Sequence, residues 1–160
     1  MRTALCVVIV ALMAPGSSAQ TRADLAGRWV RDGDPGPGME DTVPAWEQIT
    51  LVDGGVEIVR SPRPAQVERY LTDITERNTT RIRPARACRA VWDGAAFVVT
   101  CREAADAPGG GAQPIVTREV RYLDAAGHLH LNLTWRSGEQ TVTRSITFHR
   151  VEGAIAGSTR

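Results

Sequence analysis

The sequence predicts an all-β protein, an antiparallel up-and-down β-barrel of about eight to nine strands. Three observations carry that expectation. Nearly everything after residue 45 alternates apolar and polar at period two. The alternating runs are joined by short Gly-containing turns, and they follow one another in sequence order. Closing such a meander on itself removes the unpaired edges that an open sheet would expose.

Glu47-Gln48-Ile49-Thr50-Leu51 runs through Asp53-Gly54-Gly55 into Val56-Glu57-Ile58-Val59, a hairpin whose buried face is Ile49, Leu51, Val56 and Ile58. Residues 64–76 carry two signals. Val67, Tyr70, Leu71 and Ile74 suit one face of a helix after Pro64, whereas Tyr70-Leu71-Thr72 and Asn78-Thr79-Thr80 suit strands, and strand is preferred. A second hairpin joins Arg89–Trp92 to Phe97–Thr100. With a turn at Asp93-Gly94-Ala95-Ala96, Trp92 faces Phe97, Ala90 faces Val99, and Cys88 falls opposite Cys101, close enough to form a disulfide. Val116 to Leu123 then turns at Asp124–Gly127 into Leu129–Trp135, which turns at Ser137-Gly138 into Thr141–His149. Two stretches are loops by composition: residues 31–45, rich in Gly and Pro, and residues 104–114 around Pro108-Gly109-Gly110-Gly111.

The N-terminus reads as an export signal. Met1-Arg2 precedes an uncharged apolar run, Leu5 to Met13, and then the small trio Ser17-Ser18-Ala19. Residues 1–19 are thus expected to be a signal peptide cleaved after Ala19, leaving residues 20–160 as one barrel domain, periplasmic or secreted. Cys6 leaves with the signal, so Cys88 and Cys101 should pair in an oxidising compartment. Arg2 is the only charge removed, so 19 basic residues become 18 and match the 18 acidic ones. Formal neutrality argues against nucleic acid as a partner, since that interaction needs a basic excess. No second apolar stretch is long enough to span a membrane. There is no lysine, hence no Schiff-base amine.

The last hairpin can be registered by hand. If Ser137-Gly138 is a two-residue turn, Arg136 faces Glu139 and Leu131 faces Arg144. Leu129, Leu131, Leu133, Trp135, Val142, Ile146 and Phe148 then form the inner face. His128, His130 and His149 fall on the solvated outer face, with only Glu119 near enough to orient them, so no metal site is assigned. Arg144 lies on the inner face, and Arg118 shares its side with Val116, Val120 and Tyr122. Two arginines directed into an apolar interior need partners. They are either internal salt bridges, for example to Glu103, or receptors for the anionic head of a mostly apolar ligand held by Arg118, Tyr122, Trp135 and Arg144.

No catalytic constellation, nucleophile motif or cofactor fingerprint stands out, so catalytic residues and cofactors are not assigned. Asp93 and Asp124 occupy turns, where Asp is expected. Asn78-Thr79-Thr80 and Asn132-Leu133-Thr134 match the glycosylation acceptor by pattern alone and are discounted.

Asp24-Leu25-Ala26-Gly27-Arg28-Trp29 resembles the Gly-x-Trp opening of lipocalins and lipocalin-like exported bacterial proteins, and the run from Ala90-Val91-Trp92-Asp93-Gly94 to Val99 resembles a Trp-Asp-Gly hairpin of secreted lipocalin-like domains. The resemblance implies a lipocalin-like barrel whose closed end is plugged by Trp29, after Gly27, with Arg150 from the last strand packed across it. It also implies binding of a small apolar or amphipathic molecule. A non-catalytic structural or protein-interaction module of the cell envelope is the competing reading, and a barrel-type cyclase or isomerase using an inner arginine with Tyr122 or a histidine is a third.

Overall fold

The computed structural model describes residues 20–35, 43–61, 66–72, 86–103 and 114–152. The expected signal peptide, the loop centres and residues 73–85 lie outside them. A single 3-10 turn, Arg22–Leu25, precedes nine strands: β1 (Gly27–Arg31), β2 (Trp46–Val52), β3 (Gly55–Arg60), β4 (Gln66–Leu71), β5 (Arg86–Asp93), β6 (Ala96–Glu103), β7 (Ile115–Leu123), β8 (Leu129–Ser137) and β9 (Gln140–Arg150). They form one antiparallel sheet in the order β4-β3-β2-β1-β9-β8-β7-β6-β5, an up-and-down, nearly closed barrel. Pairing of β1 with β9 joins the two ends of the meander, and the seam lies between β4 and β5.

Hydrophobic alternation forms these strands, and Gly54, Gly94, Gly127 and Gly138 supply positive φ at the tight turns. Gly55 is required for a different reason. A Cβ there would lie 2.0 Å from the Tyr70 carbonyl oxygen, so β3 and β4 can approach only because the residue has none. The described part of the ambiguous region, Gln66–Leu71, is strand β4, with Glu68 and Tyr70 inward and Val67 outward, while Ile74 and Asn78-Thr79-Thr80 lie outside the described residues. Helical spacing there was incidental, because Val67 and Tyr70 serve opposite faces.

The core runs through the barrel as Leu25, Trp29, Ile49, Val56, Ile58, Tyr70, Ala90, Phe97, Val99, Leu129, Leu131, Leu133, Ile146 and Phe148. Leu51 shares the inner parity of Ile49 but sits at the hairpin end and is exposed. The β5–β6 register is the expected one, Trp92 on Phe97 and Ala90 on Val99, and Cys88 and Cys101 are joined in a disulfide with their Cα atoms 4.0 Å apart. Its short loop gives a stabilisation on the order of 3 kcal/mol by restricting the unfolded chain.

The β8–β9 turn falls one residue later than expected. Ser137 pairs with Gln140 around Gly138-Glu139, and Arg144 therefore faces Leu133 rather than Leu131. A displacement of two residues along a strand preserves the faces, so the inner and outer sets survive the correction. The β7 assignment does not survive. Glu119 and Arg121 point inward and are buried, while Arg118, Val116, Val120 and Tyr122 point outward. Apolar parity misled there because the inward charges neutralise one another.

Candidate functional site

The middle of the barrel is held by a buried network of ionic groups. Glu47 on β2, Arg60 at the end of β3, and Glu68 and Tyr70 on β4 meet Glu119 and Arg121 on β7. Arg121 is wholly buried and grips Glu47 with a two-pronged fork, Nε to Oε2 and Nη2 to Oε1, each at 2.9 Å. Its Nη1 lies 2.9 Å from Glu119 Oε2. Arg60 Nη2 donates to Glu68 Oε2 at 2.5 Å and to Glu119 Oε2 at 3.2 Å, and the Tyr70 hydroxyl donates to Glu68 Oε2 at 2.7 Å. Every one of these links between β7 and the β2–β4 side crosses the interior. The network therefore ties together the two halves of a sheet whose β4 and β5 edges are not hydrogen-bonded to each other.

Burial sets the electrostatics. It alone would raise the Glu119 carboxyl, but Arg60 and Arg121 outweigh it and hold the group far below the usual carboxylate range. Burial, aided by the charges of Glu119 and Glu68, drives the Tyr70 phenol well above its ordinary value, so it remains a donor. A carboxyl whose pKa is lowered by folding contributes stability that is complete above its unfolded value, about 4.3, and is lost as pH falls toward the folded value. The melting temperature should therefore decline steadily below about pH 4. In Glu119→Gln it should already be lower at pH 7, with a shallower acid limb. An acid limb of wild-type steepness in that variant would remove Glu119 as its source.

The four residues expected to hold a ligand do not converge. Arg118 is exposed on the outer face, opposite Thr100 and Thr134. Tyr122, also outward, stacks on His130 with ring centroids 5.2 Å apart. Trp135 and Arg144 do lie on the inner face, as neighbours at the barrel's mouth, the end away from Trp29. Arg144 is nonetheless exposed, because β9 is eleven residues long and β1 pairs with only its last three. Over Gln140–Ile146 no described strand covers the other side of β9. The mouth is crossed by one inner row, Cys88, Cys101, Thr117, Trp135 and Val142, of which Trp135 is part-buried and Val142 is 50% exposed. Glu103 keeps its expected inner parity beside Ile115, but the carboxylates seen on the buried arginines are Glu47, Glu68 and Glu119.

The histidines take different partners from the expected one. Glu119 faces the interior, and it is Asp124 that approaches His128 Nδ1 at 3.3 Å and His130 Nε2 at 3.0 Å, while His149 Nδ1 meets Asp32 at 2.5 Å. The hydrogen bonds from His130 and from the His128 backbone depress the Asp124 carboxyl well below its ordinary range. The same carboxylate accepts from the Ala126 amide, so it closes the β7–β8 turn as well as orienting two rings.

At the closed end Trp29 is fully buried beneath Arg150, whose guanidinium carbon lies 4.6 Å from the ring centre. Gly27 has φ 147°, and a Cβ there would approach Arg150 Nη1 to 3.3 Å. The expected trio of Gly27, Trp29 and Arg150 is thus assembled.

Two members of the ionic network had a sequence signal. Glu47 shares parity with Ile49, and Arg60 with Val56 and Ile58, in a hairpin whose turn is unambiguous, so their inward placement was readable. Arg121 and Glu119 had none, since Thr117-Arg118-Glu119-Val120-Arg121-Tyr122 is charged at both parities. No protein-family model matches the chain, and no curated protein matches it.

Proposed function

We propose that this chain is an exported, non-catalytic binding protein of lipocalin-like architecture that takes a small amphipathic anion at the mouth of its barrel. The apolar body of the ligand lies on Trp135 and Val142, and its anionic head meets Arg144. The observation that carries this reading is that two partly exposed apolar side chains, Trp135 and Val142, sit on the inner face beside an arginine that has no ion pair among the described residues. Lower in the barrel two arginines are already shared among three carboxylates, which favours the mouth over the depth of the interior. The disulfide supports a periplasmic or secreted location.

Titration of the purified protein with a medium-chain fatty acid and with aromatic acids, followed by tryptophan fluorescence, tests it. Saturable binding is expected, and Arg144→Ala should weaken it about tenfold or more by removing a charge-assisted contact. The corresponding alcohols should bind weakly and be indifferent to that change. Absence of any saturable signal, with the fold intact, would leave the structural envelope module as the better account. That second reading draws its own support from the ionic network, which rigidifies the barrel without offering a reactive group.

A further inference from the structure

The outer face of β5–β8 carries a feature that the mouth does not use. Four exposed arginines occupy alternate positions in two adjacent rows: Arg102 and Arg136 flank Val116 in one, and Arg89 and Arg118 flank Thr100 in the next. Each is therefore a diagonal neighbour of the next, about 7–8 Å away, and the four form a zigzag crossing four strands at right angles to them. Successive charges advance by the interstrand spacing, about 4.7–4.9 Å. None of the four has an ion pair or hydrogen bond among the described residues. Glu103, next to Arg102, faces the interior, Glu139 lies in the β8–β9 turn, and Asp93 is at the far end of β5. The carboxylates Glu47, Glu68 and Glu119 thus lie inside with Arg60 and Arg121, and these four arginines stand in a line outside.

Like charges held this close repel, and their mutual field favours whatever anion bridges them. Between Arg102 and Arg136 the surface dips into a groove of about 290 Å³ floored by Val116 and bounded by Pro114 and Gly138. The rest of this face is rich in short hydroxyl and amide side chains: Thr100, Thr134, Thr143, Asn132 and Ser145. No aromatic ring stands in the two arginine rows to stack a nucleobase.

We propose that this zigzag is a binding track for a linear acidic polysaccharide, laid across the strands with one carboxylate or sulfate per sugar meeting one guanidinium. Guanidinium forks match such oxyanions two-pronged. The regular charge advance calls for a polymer with a regular charge repeat, the hydroxyl-bearing neighbours suit sugar hydroxyls, and the groove at Val116 accommodates one ring. This site is separate from the mouth and does not depend on a ligand binding there.

Polygalacturonate is the probe, with dextran, sodium phosphate, anionic phosphatidylglycerol vesicles and single-stranded DNA alongside. Expected is binding of polygalacturonate that weakens with salt, no binding of dextran, and loss of about tenfold in affinity for Arg118→Ala. Arg118→Lys should fall between, keeping the charge but losing the fork. Arg102→Ala/Arg136→Ala should abolish binding, while Arg69→Ala, an exposed arginine on β4, should not change it. Melting temperatures of the Arg102, Arg118 and Arg136 variants should stay near wild type, since these three side chains have no ion pair or hydrogen bond among the described residues. Failure to bind polygalacturonate at low salt overturns the proposal. So does an equal loss with Arg69→Ala, or vesicles or DNA bound as tightly as the polysaccharide. Competition by phosphate alone at equal charge concentration would likewise show a simple anion site in place of a polymer track.

Discussion

Arg121→Ala is expected to destabilise the barrel by about 3–5 kcal/mol, because it takes both hydrogen bonds from the buried Glu47 carboxylate, leaving it only Arg60 at 3.8 Å, and removes one of the two cations at Glu119. The direction follows from an asymmetry. Bringing an ion pair into a low-dielectric interior gains little overall, since desolvation cancels most of the attraction, but deleting one member leaves the other's desolvation uncompensated. Glu47 is fully buried and is gripped by two 2.9 Å hydrogen bonds, so few pairs in the chain are more exposed to that penalty. Replacing both partners, as Glu47→Leu/Arg121→Met, should recover more than half of the loss, because no charge is then stranded. Urea unfolding of the three proteins measures this. A loss below about 1 kcal/mol for Arg121→Ala would mean that water reaches Glu47 and that the network is not the interior clamp described.

The same clamp explains where sequence reasoning succeeded and where it stopped. Turn chemistry and alternation located the strands, and in β5–β6 they placed Cys88 opposite Cys101 to the residue. On β8 and β9 the inner and outer faces were readable even with the turn displaced, because an even shift cannot change a face. The β7 strand defeated the method for a physical reason. Alternation reports burial only when the buried side is apolar, and here the buried side is Glu119 and Arg121, whose partners come from strands remote in sequence. Arg144 shows a second limit. Its parity was right, but exposure depends on how far the neighbouring strand extends, and β1 stops short of it. Parity is a local property, whereas pairing of charges and coverage by neighbours are tertiary ones.

Trp29→Ala should cost about 3–5 kcal/mol through loss of a large buried ring and the cavity left behind. The surroundings give little room to collapse. The indole is fully buried, its Nε1 donates to the Leu25 carbonyl at 3.0 Å, and Arg150 lies across the ring and donates to the Asp24 carbonyl. Arg150 is itself fixed in place by the strand pairing of Trp29 with it and by the Val151 amide, which donates to the Arg28 carbonyl at 2.9 Å. Removing the ring thus loosens the 3-10 turn, the start of β1 and the end of β9 together, where β1 and β9 join the two ends of the meander. Trp29→Phe keeps most of the apolar surface but leaves the Leu25 carbonyl without its donor, and should cost less than the alanine change. Arg150→Ala should cost least, about 0.5–1 kcal/mol, the usual worth of a cation over an aromatic face near solvent. For a domain of this size the alanine variant corresponds to a fall in melting temperature of roughly 10–20 °C. The ranking separates a plug that closes the barrel from a tryptophan that merely fills space. A Trp29→Ala protein that melts with the wild type, or an Arg150→Ala change that costs as much as removing the ring, would refute it.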